Sequence, residues 1–104
     1  MAESEWVQMM AGVKRRIKAD GEKLMLVEVR FEAGAAVPAH SHPHEQISYV
    51  VSGRFEFTVD GKAVIVAAGE SLHLPSNVPH AARALEASTA LDAFSPPRED
   101  FRKQ

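Results

Sequence analysis

Along nearly the whole chain, short β-prone runs are cut off by turn signals at close, near-regular intervals. Asp20-Gly21 and Asp60-Gly61 each lie between two such runs, the arrangement that tight hairpins favour. The spacing predicts paired strands over 13–31, an extended segment from Pro38 to His42 whose proline bars helix interior, and a strand over 46–51. Residues 54–59 alternate polar with apolar, 62–66 pair back after the Asp60-Gly61 turn, and 71–74 form a short strand ended by Pro75. Two further strands are expected at 81–85 and 89–94. Short strands divided by Gly and Pro turns imply a sandwich or barrel rather than βαβ units.

A chain of 104 residues suffices for one such domain, expected over 1–104 with the barrel at about 13–94 and a tail from 95 to 104. Lys and Arg together number 12 against 14 Asp plus Glu, too balanced to suggest a phosphate-backbone or anionic membrane partner, so neither is expected. Lys14-Arg15-Arg16 reads as the solvated part of an early strand. There is no apolar run near the roughly 18 residues that span a bilayer and nothing like a signal peptide, so a cytoplasmic protein is expected. The chain contains no cysteine, which removes disulfides and thiolate chemistry and leaves nitrogen and oxygen as the donors for any metal.

His40, His42 and His44 alternate along an extended segment, which would put them on one face. Pro43 interrupts the alternation, so His44 is expected to turn away into the loop. His-x-His alone is a weak signal, because imidazoles near loops are more often surface or hydrogen-bonding groups. The framing sharpens it: Gly34-x5-His40-x-His42-x3-Gln46-x6-Gly53 is followed, after a 15-residue spacer, by Gly69-x5-Pro75-x4-His80.

These two stretches resemble the paired motifs of the cupin superfamily, in which Gly-x5-His-x-His-x3or4-Glu-x6-Gly precedes Gly-x5-Pro-x4-His-x3-Asn. The resemblance implies an all-β single-domain cupin, an antiparallel barrel of jelly-roll or double-stranded β-helix type. It makes His40, His42 and His80 metal ligands and puts Gln46 where a cupin usually has Glu; Ala84 replaces the final Asn. Three imidazoles and an amide oxygen suit one borderline divalent ion, Ni, Fe, Mn, Co or Zn. Four neutral ligands leave that ion its full charge, which favours an anionic substrate. Glu45 is the rival fourth ligand, one residue short of the spacing and on the opposite parity. His73 reads as a packed or hydrogen-bonded barrel residue, and Tyr49 as core.

The phrase His40-Ser41-His42-Pro43-His44-Glu45-Gln46, with Asp92-x-Phe94-Ser95-Pro96-Pro97-Arg98-Glu99-Asp100-Phe101, resembles the KdgF-type pectin-degradation cupins. What that resemblance implies is ring opening and ketonisation of 4,5-unsaturated monouronates, with Asp92, Phe94 and Arg98 lining the active site. On residue type alone, Asp92 can equally end an edge strand, Phe94 pack in the core and Arg98 sit in a solvated tail. A non-catalytic sugar-binding cupin and a small cupin dioxygenase are the alternatives. A homodimer is expected, because the apolar segment 6–10 offers a strand that a short barrel does not bury alone.

Overall fold

In β2 (Val13–Asp20), Val13, Arg15 and Ile17 turn inward while Lys14, Arg16 and Lys18 turn outward, the two-residue alternation of a strand with one face against a core. The computed structural model describes residues 4–103; positions 1–3 and 104 of the expected 1–104 domain lie outside the described residues. Nine further strands follow the same logic: β1 (Val7–Met10), β3 (Met25–Phe31), β4 (Ala36–His40), β5 (Glu45–Ser52), β6 (Arg54–Val59), β7 (Lys62–Ala67), β8 (Ser71–Leu74), β9 (His80–Ala84) and β10 (Ser88–Ser95). A four-residue helix, α1 (Glu99–Arg102), follows.

All pairings are antiparallel, in a six-stranded sheet of order β1-β2-β3-β10-β5-β8 and a four-stranded sheet of order β4-β9-β6-β7. This is the expected all-β cupin barrel, its two sheets facing each other across an apolar interior that includes Val13, Met25, Val27, Val50 and Phe55. Phe31 meets Phe55 edge to face at 4.9 Å, joining the sheets, and truncating such a ring to Ala costs about 3–5 kcal/mol.

Gly53 turns the chain from β5 into β6 at φ +84°. A Cβ there would stand 2.1 Å from the Ser88 Oγ and 2.6 Å from the Ala87 carbonyl, and that hydroxyl also accepts the Arg54 amide proton at 2.9 Å. Gly53→Ala is therefore expected to cost about 2 kcal/mol through strain and crowding, read as a fall of roughly 10 °C in Tm.

Four expectations need correction. The segment 6–10, expected to lack cover within one barrel, forms β1 and packs Met9 and Met10, partly buried, against the core. Arg15 is buried, 5% exposed, because its parity with Val13 and Ile17 carries it inside. Tyr49 is 44% exposed, because Gln46, Ser48 and Val50 take the inward positions of β5. Within the expected tail of 95–104, the described residues 95–103 are not simply a tail: β10 reaches Ser95, and α1 inserts a buried Phe101 beside the barrel while Arg102 grips Asp20, its Nε 2.8 Å from Oδ2.

Candidate metal centre

The inward face of β5 carries Gln46 and Ser48 where a barrel strand would ordinarily present apolar residues. Their partners across the β5–β10 ladder are Phe94 opposite Gln46 and Asp92 opposite Ser48. In the other sheet, His40 ends β4 and stands opposite His80, the first residue of β9. His42 follows β4 in the connection to β5 and folds back towards both, its ring 5.7 Å from that of His40 and 4.9 Å from that of His80. One nitrogen from each of the three imidazoles lies within 4.8 Å of those of the other two, so the triad is positioned for metal binding.

The tautomers can be read from backbone partners. Nδ1 of His40 donates to the Pro38 carbonyl at 2.9 Å and Nδ1 of His80 to that of Val78 at 3.0 Å, while Nδ1 of His42 lies 3.0 Å from the His44 carbonyl. A carbonyl only accepts, so in His40 and His80 the proton sits on Nδ1 and Nε2 keeps its lone pair, whereas in His42 the Nε2 faces an acceptor as well. The His80 Nε2 is buried with no hydrogen-bond partner. Burial lowers the His42 pKa to about 4, helped by the positive charge of Arg98 and by His80; burial likewise lowers that of His80.

Gln46 lies beside the triad. Its Nε2 donates to the Ser48 Oγ at 2.9 Å, and that hydroxyl donates to Asp92 Oδ1 at 2.7 Å, which turns the amide oxygen away towards the histidines. The Gln46 Oε1 then faces the His42 Nε2 at 3.1 Å, so both ring nitrogens of His42 face an oxygen and the single proton of the neutral ring serves only one of them. Imidazole nitrogens with an amide oxygen are the kind of donors that a borderline divalent ion would take. The donor set fits a divalent ion.

Beside this cluster opens a cavity of about 310 Å³, with His40, Gln46, His80, Asp92, Phe94, Arg98 and Phe101 in its wall. Burial pushes the Asp92 carboxyl up to about 6, against the hydrogen bonds from Ser48 and Gln46 and the charge of Arg98. Both its forms are thus accessible near neutrality. Arg98 lies at the entry to α1, its guanidinium 5.0 Å from the Phe94 ring centroid and 4.2 Å from that of Phe101, with Asp100 accepting from Nε at 3.1 Å and Nη2 at 2.9 Å.

All seven residues singled out in the sequence, His40, His42, Gln46, His80, Asp92, Phe94 and Arg98, therefore meet at one end of the barrel. Glu45 does not: it points to the outer face, where it bonds His73 Nε2 at 2.6 Å, and both side chains are exposed. His44 stays in the connection after β4, outside the triad, its ring packed on His42 at 5.4 Å and on Phe94 at 6.3 Å. Sequence reading missed Ser48 and Phe101. A polar residue two positions after Gln46 on the same strand face was the available signal for Ser48.

The chain belongs to the cupin family, whose cupin-domain profile matches residues 27–94. Over 101 residues, 95% of this chain and 92% of the relative, it is 38% identical to the pectin degradation protein KdgF of Dickeya dadantii (strain 3937). It also superposes on the structure of KdgF from Halomonas sp. with a TM-score of 0.88 and 39% identity, covering 92% of this chain and 89% of that one. An RmlC-like cupin from Shewanella frigidimarina NCIMB 400 is similar at a TM-score of 0.89 and 39% identity, covering 94% and 88%. Among the described residues no helix is long and apolar enough to cross a membrane.

Proposed function

We propose that this chain is a metal-dependent cytoplasmic isomerase of pectin or alginate breakdown that opens 4,5-unsaturated monouronates and ketonises them to linear keto sugars. The observation that carries this reading is the hydrogen-bonded line Gln46–Ser48–Asp92, which links the candidate metal cluster to a carboxyl in the wall of a cavity that also holds Arg98. The likeness to the pectin degradation protein KdgF supports a role in pectin breakdown and, with it, a sugar-acid substrate.

In this reading His40, His42, His80 and Gln46 hold one divalent ion, which when bound supplies Lewis-acid stabilisation of negative charge on substrate oxygens. Asp92 takes the proton of the anomeric hydroxyl as the bond from the anomeric carbon to the ring oxygen breaks. The anomeric carbon becomes an aldehyde, the ring oxygen leaves as the enolate oxygen at C5, and return of the proton held by Asp92 to C4 turns that enolate into a ketone. Atoms and charge balance without a co-reactant. Arg98 pairs with the uronate carboxylate, a geometry that a planar guanidinium favours, and Phe94 forms a wall for the sugar ring.

The test is to incubate the metal-replete protein with an unsaturated galacturonate and follow the products by proton NMR. Disappearance of the C4 vinyl proton with growth of the open-chain keto sugar, faster than without protein, supports the isomerase. Saturable binding with the vinyl signal intact would instead make this a sugar-binding cupin.

We also propose a homodimer, formed through the outer face of the six-stranded sheet rather than through β1. Ile47, Tyr49 and Val51 project from β5 at 49%, 44% and 47% exposure, beside half-buried Leu91 and Ala93 of β10. Such contiguous apolar surface is characteristic of an interaction site. Light scattering is expected to give a dimer at micromolar concentration for the wild type and a monomer for Tyr49→Asp; a monomeric wild type contradicts the proposal.

A further inference from the structure

Arg15 lies on the inward face of β2 between Val13 and Ile17, where packing alone would be served by another aliphatic side chain. Burial works against its charge: desolvation lowers its pKa, with Arg98 adding to the fall and the Asp100 carboxylate opposing it. Its guanidinium carbon lies 3.9 Å from the centre of the Phe101 ring, and the same ring carries the Arg98 guanidinium at 4.2 Å. Phe101 in turn meets Phe94 edge to face, 5.8 Å between centres and 88° between planes. A cation over a ring face fixes the plane of that ring, which a purely aliphatic neighbour would not.

The segment that bears Arg98 needs outside support. A helix of four residues has no stability of its own. It is fastened externally by Arg102 on Asp20 and internally by Phe101. Asp100 occupies the Nε and Nη2 edge of the Arg98 fork. The Nη1 end is then the end that can meet an anion in the cavity.

We propose that Arg15 is a positioning residue for the anion clamp: by seating Phe101 from inside the barrel it holds Arg98, with Asp100, in the orientation that turns the guanidinium towards the cavity. The proposal rests on the reading of Arg98 as the group that pairs with the uronate carboxylate. It assigns a role to a buried charge that touches no substrate.

Arg15→Met keeps the length and apolar stem and removes the cation. With metal content matched, it is expected to raise KM for an unsaturated galacturonate by about five- to tenfold and change kcat by less than about twofold, the pattern of weakened uniform binding. In an Arg98→Ala background the same substitution should add nothing to KM, because the two residues act through one contact. Independently of any substrate, the Arg98 Nε–H resonance, assigned by its loss in Arg98→Ala, should exchange with solvent about tenfold faster in Arg15→Met than in wild type. Arg15→Gln, which also keeps an extended stem and removes the cation, should reproduce all three results and decides the matter if Arg15→Met does not fold. Wild-type Nε–H exchange in the folded variant, or an equal rise in KM with and without Arg98, would overturn the proposal. If the wild type leaves unsaturated uronates untouched, the functional reading falls, and the Nε–H exchange still decides whether Arg15 positions Arg98.

Discussion

His42→Ala and His80→Ala are each expected to leave the purified protein with less than about a tenth of the metal carried by the wild type, which should hold close to one divalent ion per chain. Removing even an outer-shell partner of a metal ligand typically costs about 10–100-fold in affinity, so removing a ligand itself should cost more. The structural reason is the placement of the three rings: each Nδ1 faces a backbone carbonyl, which leaves Nε2 as the ring nitrogen available to the cluster. Elemental analysis of folded protein, with circular dichroism matched to wild type, provides the measurement. Wild-type metal in the His42→Ala/His80→Ala double variant would put the ion elsewhere.

Asp92→Asn is expected to keep fold and metal and to lower the rate of ring opening by about 10²-fold or more, the scale on which a positioned acid or base contributes, and equal to about 2.7 kcal/mol in the barrier. The Ser48 hydroxyl that donates to Asp92 Oδ1 at 2.7 Å can donate equally to the oxygen of an Asn amide, so the line back to Gln46 survives. What the substitution removes is the ability to take up and return a proton. Single-turnover and steady-state rates at matched metal content measure the effect, and a variant turning over at the wild-type rate would make Asp92 a structural group.

Strand positions were legible because their boundaries are chemical. Asp20-Gly21 and Asp60-Gly61 each fall between paired strands, and Gly53 and Gly69 take positive φ at turns. The histidines were legible through spacing, since the two motifs fall at β4 to β5 and at the start of β9, which the sheet brings face to face. Parity held for Gln46 against Glu45, and the same parity applied to Tyr49 would have placed it outside, three residues from Gln46 and on the opposite face. Arg15 was misread because a run of three basic residues resembles a solvated stretch, whereas every second side chain of a barrel strand points inward whatever its charge. The C-terminal segment could not be read at all from period or propensity: four helical residues are too few to show either, and Phe101 finds its place through tertiary contacts with Arg15, Phe94 and Arg98.

The most direct test of the central claim is the ultraviolet absorbance of the conjugated double bond of an unsaturated galacturonate, followed with metal-replete protein and with the same protein after chelation and dialysis. The account predicts that absorbance falls faster with metal-replete protein than in buffer, that the chelated protein gives the buffer rate, and that adding back a divalent ion restores the loss. Absorbance that decays at the buffer rate with fully metallated, folded protein would contradict it.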